Sequence, residues 1–216
     1  MIEAILWDND GVLVDTEHIY FATTRDALAG AGVTLTLERY MDLSLRQGRS
    51  CFDLARAEGV SEARVEALKT ERNAAYRGRL EAGVELMAGV RETLSELHGR
   101  LPMALVTTTS REYFDVIHRP HDTHRFFEFI LASGDYARSK PHPDPYLLAA
   151  ERIGVAPEAC LVVEDSERGL TAAHRAGMRC LVIPHALTAD GDFDTAERRL
   201  GDIREVPAEI ARLRGD

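Results

Sequence analysis

Apolar residues in this chain follow two rhythms. Short unbroken runs at Ala4 to Trp7, Met103 to Val106, Phe129 to Ala132, Leu161 to Val163 and Cys180 to Ile183 have the length of buried strands. Between the later runs, apolar positions recur at helical intervals over 90–97, 110–117, 145–153 and 169–176. Strands alternating with helices imply βαβ units and a parallel sheet covered on both faces. Residues 16–82 read differently. Segments 17–31, 48–58 and 61–80 have helical spacing, with Gly32, Gly59 and Gly83 near their ends. Gly83 and Gly89 flank a return linker. The pattern predicts a doubly wound, parallel-sheet, Rossmann-like α/β core from residues 1–15 and 83–216. A helical insert over 16–82 splits that core after its first strand. No internal repeat or low-complexity segment interrupts it.

Length and composition narrow the class. With 216 residues, 45% hydrophobic and 29% charged, the chain can bury a sizeable core without staples. A formal net charge of −10 argues against nucleic acid or an anionic membrane surface as partner. An anionic substrate stays possible, because a bound cation reverses the local field. Cys51, Cys160 and Cys180 are widely spaced with no CxxC pair, which suits packing roles in a reducing cytoplasm. Met1-Ile2-Glu3-Ala4 lacks a basic region leading into a long apolar one, so a signal peptide is not expected. No apolar run approaches the roughly 20 residues of a membrane helix.

Chemistry-bearing residues gather where the strands end. Asp8 and Asp10 follow the first run within Trp7-Asp8-Asn9-Asp10-Gly11. Residues two apart share a side of an extended chain, so both carboxylates can meet at the sheet's carboxyl edge. Two adjacent carboxylates repel unless a proton or cation relieves them, which suggests a hard-metal site or a nucleophile beside an acid. Alone, Asp-x-Asp-Gly is more often a turn. An EF-hand fits poorly, because its glycine would come later and Ile19 stands where the closing glutamate should be. The second strand runs into Thr107-Thr108-Thr109-Ser110, where hydroxyls and backbone N–H groups opening a helix suit a phosphate oxygen, or where Ser110 simply caps the helix. Lys140 lies in a proline-stiffened Lys-Pro-His-Pro-Asp-Pro stretch, placed to neutralise a phosphate. Glu164, Asp165 and Ser166 end another strand. His118, His121 and His124 recur at intervals of three, but Pro120 breaks any helix that would align them, and a solvated connection is expected. Arg168 and Arg175 are expected on a solvated helix face.

The order of these motifs resembles the haloacid dehalogenase-like phosphohydrolases, in the branch related to β-phosphoglucomutase. The matching residues are Asp8 to Glu17, Thr107, Lys140-Pro141, Glu164-Asp165-Ser166 and the helix through Gly169, Ala172, Ala173 and Gly177-Met178. The resemblance runs from residue 7 to 178 and implies that residues 16–82 are a helical cap. It implies that Asp8 attacks phosphorus to form an aspartyl-phosphate, and that Asp10 protonates the leaving alcohol and then activates water. Lys140 would hold nucleophile and phosphate, while Thr107 and the N–H of Thr108 would bind phosphoryl oxygens. Mg²⁺ would be held by Asp8, the carbonyl of Asp10, Asp165, and Glu164 either directly or from behind.

Rival chemistries are weighed by the residues that depart from the pattern. Metal-free dehalogenases displace halide with an aspartate, but Asp10, Glu164 and Asp165 together favour Mg²⁺ and phosphoryl transfer. In mutase-like chains a cap histidine stands where this chain has Tyr20, with His18 displaced by two. Arg46 and Arg49 match the mutase's distal-phosphate arginine only loosely. Both departures favour a phosphatase with water as acceptor. Tyr20, Arg46 and Arg49 remain candidates for substrate selection. A non-catalytic binding protein is disfavoured by the intact Asp8, Asp10, Lys140 and Asp165. The expectation is a cytoplasmic Mg²⁺-dependent phosphatase, monomer or small homo-oligomer, acting on a small phosphorylated metabolite, with a sugar phosphate favoured.

Overall fold

The structure, a computed structural model, describes residues 1–215. It divides into two compact units, Met1–Asp15 with Glu85–Asp216 and Thr16–Val84.

In the first unit the described residues form a six-stranded, all-parallel sheet. Its strands are β1 Ala4–Trp7, β2 Met103–Ser110, β3 Phe129–Ser133, β4 Cys160–Glu164, β5 Arg179–Val182 and β6 Arg198–Arg199, in the order β3-β2-β1-β4-β5-β6. This is the doubly wound, Rossmann-like arrangement, with β1 at the centre and the strand order reversing on either side of it. Five of the six strands sit where the apolar runs lie. The sixth is two exposed arginines at the sheet edge, a stretch with no apolar signal.

Side-chain alternation divides the core into two layers. Ile5, Trp7, Met103, Leu105, Leu161, Val163 and Leu181 pack with α5 (Val90–Leu97), α6 (Arg111–His118) and α9 (Val206–Arg214). Ala4, Leu6, Ala104, Val106, Val162, Cys180 and Val182 pack with α7 (Asp144–Ile153) and α8 (Glu167–Arg175). The second layer is rich in alanine, which lets Ala149, Ala150, Ala172 and Ala173 bring their helices close to the sheet. All three cysteines are buried and free, as packing residues.

The second unit is helical, with α1 Glu17–Ala29, α2 Leu37–Tyr40, α3 Asp53–Ala57 and α4 Glu62–Glu81. A π-helical stretch, Met41–Arg46, continues α2. Residues 37–46 carry no clear helical period, and their helicity follows from a Thr36 side-chain cap and the burial of Tyr40 and Leu43. The unit has its own core around Leu28, Tyr40, Leu43, Phe52, Val65 and Leu68. Among the described residues no helix is long and apolar enough to cross a membrane.

Candidate active site

The site is built at the carboxyl ends of β1, β2 and β4. Asp8 follows β1, and its N–H donates to the carbonyl of Val163 at 2.9 Å, which sets it beside the end of β4. Asp8 and Glu164 continue the even-numbered parity of Leu6 and Val162, so both carboxylates fall on the same side of the sheet. The chain then turns sharply. The Asn9 carbonyl accepts the N–H groups of Val12, Leu13 and Val14 at 3.3, 2.8 and 3.2 Å. The buried side chains of Val12 and Leu13 anchor the turn in the core.

Lys140 organises the acids. Its Nζ donates to Asp8 Oδ1 at 2.5 Å, Glu164 Oε1 at 2.8 Å and the Val106 carbonyl at 2.9 Å, so all three ammonium hydrogens are used. The lysine is 4% exposed. Burial alone would lower its pKa, but the flanking carboxylates of Asp8 and Glu164 outweigh this and hold it charged. Tyr146 donates to Glu164 Oε1 at 2.7 Å, while Glu164 Oε2 accepts from Ser166 Oγ at 3.0 Å and from the Asp165 N–H at 3.2 Å. Burial would raise Glu164, yet Lys140 and these donors keep it below the usual carboxylate range. Gly169 makes room for it, because a Cβ there would lie 1.8 Å from the Glu164 carboxyl carbon.

The balance of charge is negative. Asp8, Glu164 and Asp165 present oxygens within 4.8 Å of one another, around one ammonium. Burial, reinforced by the Glu164 carboxylate and only partly offset by Lys140, pushes Asp8 well above its ordinary pKa. Carboxylate oxygens that crowd this way are the donor set a hard dication takes. Glu164 is already committed to donors on both oxygens, which leaves Asp8 and Asp165 better placed to hold such an ion.

Beside this cluster, Asp10 Oδ2 accepts from Thr107 Oγ1 at 3.1 Å and Thr109 Oγ1 at 2.8 Å. Thr107 is fully buried and its hydroxyl also accepts the Thr109 N–H at 3.0 Å. The β2–β3 register shifts between Val106 and Ser110, which bends this strand end out of the ladder. Thr108 is exposed on that bend. Ser110 caps α6 by accepting the Tyr113 N–H. Asp8, Asp10, Thr107, Lys140, Glu164 and Asp165 are thus brought together by four loops. Tyr20, Arg46 and Arg49 belong to the helical unit. Tyr20 packs edge-on to Tyr76 at 5.2 Å, with the Arg72 guanidinium 4.4 Å above its ring. Arg49 pairs with Asp53 at 3.2 Å, and Arg46 is exposed.

Three residues behave differently from the sequence expectation. His118 is not in a solvated connection but fully buried, stacked on Phe114 at 4.3 Å. Its Nε2 meets Asn9 Oδ1 at 2.6 Å and its Nδ1 meets Thr123 Oγ1 at 2.7 Å. An amide oxygen cannot donate, so Nε2 carries the proton and Nδ1 accepts from threonine. Desolvation lowers this imidazole to about 3, so it stays neutral and holds the residue between Asp8 and Asp10. Arg168 and Arg175 also do more than face solvent. Arg168 donates to the Lys140 carbonyl and Arg175 to the Pro141 carbonyl at 3.0 Å, tying the lysine's loop to α8. The sequence signal for both is their common helix, seven residues apart, directly after the Glu164 motif.

Known proteins resemble this chain in sequence and fold. Residues 5–183 match the haloacid dehalogenase-like hydrolase family. Protein CbbY of Cereibacter sphaeroides is 33% identical over 95% of this chain and 94% of its own. The fructose-1-phosphate phosphatase YqaB of Escherichia coli is 30% identical over 81% and 92%. A crystal structure of a CbbY variant from Rhodobacter sphaeroides with xylulose-(1,5)-bisphosphate superimposes with a TM-score of 0.79 at 28% identity, covering 95% and 96% of the two chains. The chain therefore belongs to the haloacid dehalogenase-like hydrolases, and within them it is a phosphatase.

Proposed function

We propose that this enzyme hydrolyses a small phosphorylated sugar, with Mg²⁺, through an aspartyl-phosphate on Asp8. The observation that carries the reading is the buried Lys140 ammonium shared between Asp8 and Glu164. It fixes one carboxylate as an oriented nucleophile and supplies positive charge where an anionic phosphoryl group must approach. Asp8, the Asp10 carbonyl and Asp165 would hold Mg²⁺, and Glu164 would hold Lys140. When bound, the ion supplies charge neutralisation for the attack of an anion on an anion.

The residues divide the work. A carboxylate oxygen of Asp8 bonds to phosphorus as the bond to the sugar oxygen breaks. Asp10 gives its proton to that oxygen, and the alcohol leaves. Water then attacks the phosphorus, passes a proton to Asp10, and the bond to Asp8 breaks to release orthophosphate. Thr107 and Thr109, both donating to Asp10 Oδ2, aim the proton carrier and leave its proton to Oδ1. The N–H of Thr108 is the candidate donor to a phosphoryl oxygen. With its hydroxyl engaged by Asp10, Thr107 acts first as a positioning group.

A sugar phosphate is favoured because the relatives named above act on, or bind, phosphorylated sugars. Water as acceptor is supported by Tyr20, a residue packed under Arg72 in the place where mutase-like chains carry a histidine. The test is release of inorganic phosphate from a panel of sugar phosphates and phosphoglycolate-like acids, with and without Mg²⁺. Wild type should release phosphate only with the metal, and Asp8→Asn should lose at least about 10³-fold in kcat. Equal activity in Asp8→Asn would overturn the nucleophile. Isomerisation of a sugar phosphate that needs a bisphosphate activator would assign a mutase instead.

A further inference from the structure

The acids of the site are held in unequal ways. Asp8 is held by Lys140, and Glu164 by Lys140, Tyr146 and Ser166. Asp165 is 4% exposed, and one group against its carboxylate is a histidine from outside every motif read in the sequence. His185 lies three residues past β5, and its Nε2 is 3.1 Å from Asp165 Oδ2. We infer that His185 is a positioning residue that fixes the Asp165 carboxylate for the metal ion. The inference rests on the Mg²⁺ reading above.

Three features of the loop support it. First, β5 is tied to the site, because the Ile183 N–H donates to the Glu164 carbonyl at 2.8 Å. Second, the ring is held from behind. The His185 N–H donates to Thr188 Oγ1 at 3.1 Å, the Thr188 N–H returns to the His185 carbonyl at 3.0 Å, and the Leu187 N–H points at Nδ1 at 3.4 Å. A backbone donor at Nδ1 makes that nitrogen the acceptor, so the proton sits on Nε2, the nitrogen 3.1 Å from Asp165 Oδ2. Third, the backbone of the nucleophile turn lies against this same contact. Gly11 has a φ of +85°, and a Cβ there would lie 2.5 Å from Asp165 Oδ2 and 2.9 Å from His185 Nε2. The Gly11 backbone and the imidazole therefore both crowd Asp165 Oδ2, so the rotation of the carboxylate is limited before any ion arrives. Groups that orient metal-binding side chains this way commonly change metal affinity by about 10- to 100-fold when removed.

The experiment titrates Mg²⁺ alone into EDTA-treated, dialysed protein by calorimetry, for wild type, His185→Ala, His185→Gln and Asp165→Asn. Asp165→Asn should lose Mg²⁺ binding. His185→Ala should weaken it by about 10- to 100-fold, while kcat at saturating Mg²⁺ stays within about threefold of wild type. His185→Gln places an amide N–H near the position of Nε2 and should recover most of the affinity. If His185→Ala proves too unstable to titrate, His185→Gln against His185→Leu carries the same comparison. Mg²⁺ affinity in His185→Ala equal to wild type would overturn the inference and leave the Mg²⁺ reading intact. So would a loss in His185→Gln as large as in His185→Ala, since ring volume rather than the donor would then matter. Undiminished binding in Asp165→Asn, or none in wild type, would overturn the metal reading itself and the inference with it.

Discussion

Lowering the pH from 7 to 5 should remove about 2 kcal/mol of stability through His118 alone. The imidazole is fully buried between Asn9, Thr123 and Phe114, and desolvation holds its pKa at about 3 in the folded chain, against an ordinary 6.5. A basic group with a depressed folded pKa stays neutral in the native state while the unfolded chain takes up a proton. Between pH 6.5 and 3 the unfolded state therefore binds more protons, and stability falls as pH falls. At pH 5 the unfolded histidine is 1.5 pH units below its pKa and the folded one is still neutral. At about 1.36 kcal/mol per unit, the difference is about 2 kcal/mol, rising to about 3 kcal/mol at pH 4. Urea unfolding of wild type and His118→Gln at pH 7, 6, 5 and 4 isolates this contribution, because the other titrating groups are common to both. The wild-type stability should fall more steeply by the stated amounts. An NMR titration of the His118 ring in wild type should show it neutral at pH 4. Parallel stability curves, or a ring that titrates near 6.5, would refute the argument.

Other consequences follow from the buried acids. Lys140→Met removes the ammonium between Asp8 and Glu164, and should destabilise the metal-free protein by about 3–5 kcal/mol and abolish turnover. Urea midpoints and phosphate release measure both, and unchanged stability would show that the carboxylates are relieved some other way. Gly169→Ala should cost about 1–3 kcal/mol and much of kcat, since its methyl would fall on the Glu164 carboxylate. A neutral effect in thermal unfolding would mean that α8 shifts freely. Arg168→Leu should lower kcat more than it raises KM, because Arg168 holds the Lys140 carbonyl rather than any group that meets the substrate. Steady-state kinetics separate the two, and a change confined to KM would contradict that role.

Much of the core was legible because its signals are local. β1 is four apolar residues leading straight into the two acids, and α5 spans the same eight residues that its spacing marks. Lys140 was readable as a cation among prolines, and Glu164 and Asp165 as acids at a strand's end. What their order could not reveal is which acid faces which partner. Glu164 is as acidic as Asp165 in sequence, yet its two oxygens are taken by Lys140, Tyr146, Ser166 and backbone, a fact set by side chains up to 24 residues away. His118 was hidden for a similar reason, because its partner Asn9 is 109 residues distant. The edge strand β6 is two arginines without an apolar run. The last helix, α9, does carry a signal, with Val206, Ile210 and Leu213 at helical spacing and Pro207 just inside its start.

The lysine at the centre has a consequence for how activity returns after denaturation. Its three acceptors lie 132, 34 and 24 residues away along the chain, at the ends of three different strands. No fragment with only two of those strands can satisfy the ammonium, and an unsatisfied ammonium does not stay buried. Hydrolysis should therefore reappear during refolding only once β1, β2 and β4 are all in register, after secondary structure has largely recovered. Turnover in this protein is thus an assay of global assembly, because it requires all three long-range contacts at once rather than an average over them.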